Sequence, residues 1–207
     1  MYLVKSSYFI KKYYSNFVWK IPTAEKIIYL TFDDGPTPEI TEWTLATLKA
    51  FNAKATFFCV GSNAAKHPEI FQQIIAEGHA VGNHTHHHVN GWHTDNEAYL
   101  RNIKKCEEVV ITNLFRPPYG RIKKSQYELI KDDYKVIMWD ILSGDFDSNT
   151  SPEKCLSNVI NNTTEGAIIV FHDSLKAADN LKFTLPKVLA HLAEQGYRFE
   201  KLQLAFE

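Results

Sequence analysis

The stretch Lys26-Ile27-Ile28-Tyr29-Leu30-Thr31-Phe32-Asp33-Asp34-Gly35-Pro36 decides the fold class. A run rich in isoleucine and aromatic residues ends on two carboxylates, a glycine and a proline. Such a run reads as a strand closed by a turn. Thr37-Pro38-Glu39 then predicts the start of a helix, with Thr37 as its cap and Pro38 in its first position. A strand followed directly by a helix is one βα unit.

The same alternation repeats along the chain. Lys54–Cys59 predicts the next strand, followed by a helix to Glu77 that Gly78 closes. Ala80–Asn83 reads as a short strand, and Asp95–Thr112 as a long helix capped by Asp95. Then come a strand at Leu114–Arg116, a helix around Lys124–Asp132 and a strand over Lys135–Ile141. A helix follows Ser151-Pro152, and Ala167–Phe171 reads as a buried strand. Leu181–Gln195 is the last helix, ending at Gly196, and Tyr197–Leu202 the last strand. About seven βα units imply an α/β fold with a parallel sheet. Periodicity does not choose between an open doubly wound sheet and a barrel.

The 207 residues suit a single domain over 1–207, with 1–24 as a short, basic and aromatic N-terminal extension. That extension is expected to pack across the amino-terminal side of the sheet or to form a partner surface. Lys and Arg number 23 against 24 Asp and Glu, so nothing points to nucleic acid. No apolar run approaches the ~20 residues that span a bilayer. Tyr8-Phe9-Ile10 is broken by Lys11 and Lys12, short of the roughly 7–15 apolar residues of a signal peptide. Cys59, Cys106 and Cys155 are odd in number and lack metal-site spacing, which predicts reduced thiols. A cytoplasmic location is the expectation, or else export by a route the sequence does not display. Oligomeric state has no sequence signal.

The chemistry lies in the polar residues that follow the strands. Asp33 and Asp34 follow the first, His84 and His88 the third, and Arg116 ends the fourth. Asp145 lies beyond the fifth and His172 follows the sixth. All fall at carboxyl ends of strands, the edge where parallel α/β folds collect their active sites. His84 and His88, four apart, share a face if a helical turn carries them. Two imidazoles and a carboxylate from the Asp33-Asp34 pair suit zinc, or cobalt in its place, with positions left open for catalysis. The plain alternative is a solvated histidine-rich loop, since His86, His87 and His93 are close by. His67 and His79 fall at helix ends and read as structural, while Tyr119 and Trp92 serve equally well for sugar stacking or for packing.

Five of these segments resemble, in order, the motifs of the NodB-type polysaccharide deacetylases, carbohydrate esterase family 4. They are Thr31-Phe32-Asp33-Asp34-Gly35-Pro36, His84-Thr85-His86-His87-His88, Arg116-Pro117-Pro118-Tyr119-Gly120, Trp139-Asp140-Ile141-Leu142-Ser143-Gly144-Asp145 and Ile169-Val170-Phe171-His172-Asp173. The resemblance implies a distorted (β/α)7 barrel and a metal-dependent hydrolase that removes acetyl groups from an N-acetylated carbohydrate, of peptidoglycan or chitin type. It implies Asp34, His84 and His88 as ligands of a divalent ion and Asp33 as general base. Arg116 would pair with Asp33 and keep it ionised. His172 would be the general acid, oriented by Asp145, and the Tyr119 backbone N–H would stabilise an oxyanion. The sequence departs from many relatives at Phe146, where they have Trp, and at Val170, where Leu is common.

Amide hydrolysis needs an activated water, a site for negative charge and a proton for a poor leaving group. A divalent ion suits the first two, and a carboxylate and an imidazole suit the proton transfers. An O-acetyl ester hydrolase would use the same residues. A catalytically dead carbohydrate-binding module would have lost some of them, and all are present. A non-haem iron oxygenase would use two His and one carboxylate but would leave Asp33, Arg116 and His172 without a purpose.

Overall fold

A pleated strand sends successive side chains to opposite faces, and strand β1 (Ile27–Asp33) buries both. Ile28, Leu30 and Phe32 join a core with Leu45, Leu48, Leu185 and Leu189. Tyr29, on the other face, packs towards Phe58, Ile137 and Ile168. Both faces of a parallel sheet need such cover. The computed structural model describes residues 3–204; residues 1–2 and 205–207, the ends of the predicted domain and extension, lie outside the described residues.

The elements are α1 (Tyr8–Tyr13), β1, α2 (Ile40–Ala50), β2 (Ala55–Cys59), α3 (Gly61–Lys66), α4 (Pro68–Ala76), β3 (Ala80–Asn83), α5 (Asn96–Glu107) and β4 (Leu114–Phe115). They continue with α6 (Lys124–Glu128), β5 (Lys135–Val136), β6 (Ile141–Leu142), α7 (Pro152–Ile160), β7 (Ile168–His172), α8 (Ala178–Glu194) and β8 (Arg198–Phe199). The sheet order is β5-β4-β3-β2-β1-β7-β6, with β8 on β1, and every pair is parallel.

The strand predicted over Lys135–Ile141 is two pairing segments in one run of chain. Its first part pairs with β4, through Ile137 N to Phe115 O at 2.8 Å. Its second part pairs with β7, through Asp140 N to Ile168 O at 2.9 Å. The change of partner brings the two ends of the sheet together and closes a distorted (β/α)7 barrel. Between them the carbonyls of Ile137 and Met138 accept from the Arg116 guanidinium instead.

Helix ends correct the sequence expectations in several places. Thr37 does not cap α2, which begins at Ile40 after Glu39 with a left-handed φ of 66°. Thr37 N donates instead to Thr41 Oγ1 at 2.7 Å, and Glu39 N to the Glu42 carboxylate at 2.8 Å. The helix expected up to Glu77 is broken at His67-Pro68, because proline lacks an N–H and disfavours helical geometry before it. Helix α5 stops at Glu107 rather than Thr112, α6 stops at Glu128, and α8 starts at Ala178. Asp95 and Ser151 do cap their helices, accepting from Ala98 N and Lys154 N. The three cysteines are free and buried.

The N-terminal extension does not simply cross the amino-terminal side. It runs the length of the seam where the barrel closes. Val4 O accepts from Leu142 N at 2.8 Å, Val18 O from Met138 N at 2.7 Å, and Gly166 O from Ile21 N at 2.9 Å. Lys11 pairs with buried Asp140. Phe17 and Trp19 are buried against Tyr99, Phe115, Ile122 and Met138. Among the described residues no helix is long and apolar enough to cross a membrane.

Candidate active site

The carboxyl ends of the strands open into one cavity of about 900 Å³, whose walls include Asp33, Asp34, His84, His88, Tyr119, Trp139 and His172. Within its walls and behind them stand three groups of charged or ligating side chains.

The first is Asp33 and Arg116. Asp33 closes β1 and is buried, and Arg116 Nη1 donates to its Oδ1 at 2.7 Å. The same guanidinium donates to Thr31 Oγ1 at 2.7 Å, to Ile137 O at 3.1 Å and to Met138 O at 2.9 Å. Its carbon lies 4.1 Å from the centre of the Phe58 ring. Burial lowers the Arg116 pKa and Asp33 opposes the shift; guanidinium remains charged in any protein environment.

The second is Asp34, His84 and His88, whose ligating atoms all lie within 4.8 Å of one another. Asp34 Oδ1 is 3.2 Å from His88 Nε2 and 3.8 Å from His84 Nε2. No helical turn carries the histidines, contrary to the sequence expectation. They sit on a loop after β3 in which Thr85 and His88 have left-handed φ values of 61° and 53°. Local hydrogen bonds hold that shape: Thr85 N to Asn83 Oδ1, Val89 N to Thr85 Oγ1, and both His86 N and His87 N to Asn102 Oδ1. His84 Nδ1 lies 2.7 Å from Arg116 O, and a carbonyl only accepts. Nδ1 therefore carries the proton, and the Nε2 lone pair faces Asp34. Burial is the largest influence on His84 and pushes its pKa down to about 4, so the ring is neutral. Burial works against the charge on Asp34 too, but the His88 hydrogen bond and the nearby imidazoles outweigh it and hold the carboxyl well below its usual range.

The third is His172 and Asp145. His172 Nδ1 donates to Asp145 Oδ1 at 2.8 Å, and the His172 backbone N–H to Oδ2 at 2.7 Å. Ser143 Oγ adds a third bond to this carboxylate at 3.0 Å. Burial disfavours the imidazolium, yet Asp145, followed by Asp34 and Asp33, raises the His172 pKa to about 9. Phe146 stands edge-on to the His172 ring at 5.0 Å.

Tyr119 follows Pro117 and Pro118 with a left-handed φ of 61°, and its ring stands edge-on to His88 at 4.7 Å. The structure thus places six of the eight predicted residues on the cavity wall and the other two behind it, Arg116 bonded to Asp33 and Asp145 to His172. Trp92 lies outside this wall, 5.0 Å from the Arg121 guanidinium.

Sequence reasoning gave Asp173 no role. It is buried, accepts from Gly35 N at 3.1 Å and from Thr41 Oγ1, and so ties the loop after Asp34 to the end of β7. A Cβ on Gly35 would lie 2.0 Å from its Oδ2, which is why glycine stands there. Burial raises the Asp173 pKa to about 7. Asn63 was also passed over; its side chain donates to Asp34 O at 2.8 Å. The strand-edge rule reaches it, because it lies just beyond the end of β2. His67, read as a helix-end residue, lines the cavity as well, whereas His79 is structural and accepts from Ala55 N.

Residues 20–136 match the family model described as polysaccharide deacetylase. A peptidoglycan-N-acetylglucosamine deacetylase of Bacillus cereus is 35% identical over 188 residues, which is 87% of this chain and 88% of that protein. The peptidoglycan-N-acetylmuramic acid deacetylase PdaC of Bacillus subtilis is 32% identical over 184 residues, 84% of this chain and 37% of that protein. A solved peptidoglycan N-acetylglucosamine deacetylase superposes with a TM-score of 0.87 at 30% identity, covering 95% of each chain.

Proposed function

The chain belongs to the polysaccharide deacetylase family, and from that membership we propose that it removes acetyl groups from N-acetylglucosamine units of a peptidoglycan- or chitin-type glycan with the help of a divalent metal ion. The observation that carries this reading is the convergence of a ligand cluster, an arginine-held carboxylate and a carboxylate-held imidazole on one cavity.

The donor set fits a divalent ion. Asp34 offers an anionic oxygen, and neutral His84 offers Nε2 with Nδ1 already bonded. With His88 they make two nitrogens and one oxygen, a set suited to zinc, with cobalt as a substitute, and they leave positions free. When bound, such an ion supplies Lewis acidity and makes water a better nucleophile near neutral pH.

The chain's own residues do the rest. Asp33, fixed by Arg116, accepts the proton of the attacking water. The carbonyl oxygen gains negative charge, and the Tyr119 backbone N–H donates to it. His172, protonated because Asp145 faces its Nδ1, delivers a proton from Nε2 to the departing amine. Without that proton the amine is a poor leaving group. Phe146 and Val170 shape the apolar side of the cavity for the acetyl methyl.

Acetate release tests the reading on matched N-acetylated and O-acetylated oligosaccharides, before and after metal stripping. N-acetylglucosamine oligomers should release acetate, a chelator should stop it, and zinc or cobalt should restore it. Release from O-acetyl esters alone would replace the amide reading with the ester one, and full turnover by metal-free protein would end the metal reading.

A further inference from the structure

Asp33 and Asp34 are neighbours on the chain, and a strand sends neighbours to opposite faces. Asp33 keeps the face of Thr31, where the Arg116 guanidinium bonds both. Alternation would send Asp34 to the face of Ile28, Leu30 and Phe32, which leucines of α2 and α8 cover. Asp34 instead has a left-handed φ of 84°, a conformation that residues with a Cβ rarely adopt. The turn brings its carboxylate back to the cavity, 3.2 Å from His88 Nε2. Such a backbone persists only where its surroundings over-determine it.

Asp173 supplies much of that hold. Its backbone N–H donates to Asp33 O at 3.1 Å, and its Oδ1 accepts from Gly35 N at 3.1 Å. One residue thus grips the chain immediately before and immediately after Asp34. Between these two bonds Asn63 donates to Asp34 O at 2.8 Å, and beyond them Val60 N donates to Gly35 O at 3.0 Å. The Asp173 carboxylate is itself fixed from α2. Thr41 Oγ1 accepts from Thr37 N, which leaves its hydroxyl proton for Asp173 Oδ2.

We infer that Asp173 is a positioning residue for Asp34: by gripping both of its flanks it imposes the left-handed turn that gives two adjacent aspartates different work. The inference rests on the reading of Asp34 as a metal ligand. Without the grip Asp34 relaxes towards the extended strand and its carboxylate leaves His88, while Asp33, held by Arg116, stays in place. The bonds carry the effect and the charge does not. An asparagine at 173 still offers an oxygen to Gly35 N, and its amide nitrogen donates to Thr41 Oγ1. An alanine offers neither.

The test titrates cobalt into metal-stripped protein and follows its visible absorption, with acetate release measured separately. Asp173→Ala should weaken cobalt binding ~10–100-fold, the range for groups that orient metal ligands, and should change the spectrum of the bound ion. Asp173→Asn should restore most of the affinity. Thr41→Val keeps the shape but removes the hydroxyl that fixes Asp173, so it should weaken binding less. That variant decides the matter if Asp173→Ala does not fold. At saturating cobalt kcat should return towards the wild-type value, because Asp33 keeps its place. His88→Ala is the reference for a lost ligand. Loss of cobalt there, with wild-type affinity in the Asp173 and Thr41 variants, would overturn this inference alone. An equal loss in Asp173→Asn and Asp173→Ala would assign the effect to charge and overturn it too. So would a kcat that saturating cobalt leaves low, since the hold would then serve Asp33 as well. Absence of acetate release from the wild type, with the affinity changes present, would count against the deacetylase reading and leave the inference standing. A wild-type protein that binds no cobalt would overturn the ligand reading and the inference with it.

Discussion

His84 and His172 are the same residue type, one buried and the other largely so, and both stand at the carboxyl edge of a parallel sheet. His84 stands two strands to one side of β1, and His172 ends the strand on the other side. Burial disfavours the charged ring at both, yet His84 is pushed down to about 4 and His172 up to about 9. The difference lies at Nδ1. For His84 it meets a backbone carbonyl, which fixes a neutral tautomer and leaves Nε2 as a ligand. For His172 it meets a carboxylate that also holds the backbone N–H, which favours the imidazolium. One side of the sheet thus carries an electron-pair donor, kept neutral by burial, and the other a proton donor, kept charged by Asp145.

Removing the donor on the β3 side should have the largest effect. His84→Ala or His88→Ala should take bound metal, measured by elemental analysis, from near one per chain to near zero, and acetate release to background. Retention of metal in both variants would break the contrast.

On the β7 side, His172→Ala should keep its metal and lower kcat by ~10²–10⁴. An acetate ester with a good leaving group should be spared, since it needs no proton. Because the raised pKa keeps His172 protonated below about 9, activity should fall as pH rises through that value. A cation held by Asp34 offsets that carboxylate's share, so the limb sits at or somewhat below 9. Asp145→Asn should move the limb down towards the ordinary histidine value of ~6.5 and cost less than His172→Ala. A limb that stays in place would remove Asp145 from this role.

A smaller effect sharpens the account of the loop. Asn102→Ala frees the two backbone N–H groups that hold the loop of His84 and His88 in shape. Metal affinity should fall ~10-fold, the lower end for residues that orient ligands, with kcat restored at saturating metal. A loss of kcat that metal does not restore would mean that the loop does more than present ligands.

The edge on which these residues meet was legible because hydrophobic runs mark strands and the residues after each run are then fixed in place. That logic reached Asp33, Asp34, Arg116 and His172 from spacing alone. It failed where tertiary contacts override local pattern. The turn expected at His84–His88 is a loop, because Thr85 and His88 take left-handed φ values that a helix does not allow, in a shape that Asn83 and Asn102 hold. The run 135–141 carries one hydrophobic pattern but serves two partners, and nothing in a pattern records a change of partner. Asp173 belonged to a recognised segment, but its hold on Gly35 depends on two strand ends meeting 138 residues apart in sequence. The extension's aromatic residues were visible, but not the seam they cover.

The central claim is that Asp34 serves the metal and Asp33 the proton, although they are identical neighbours. Metal content of Asp33→Asn and Asp34→Asn tests it most directly. Asp33 is held by Arg116 at 2.7 Å and Asp34 stands 3.2 Å from His88, so their environments already differ. Asp33→Asn should hold close to one ion per chain while kcat falls by ~10²–10⁴. Asp34→Asn should bind the ion weakly and recover part of its rate in excess metal. The reverse, with Asp33→Asn losing its metal and Asp34→Asn keeping it, would contradict the assignment at its root.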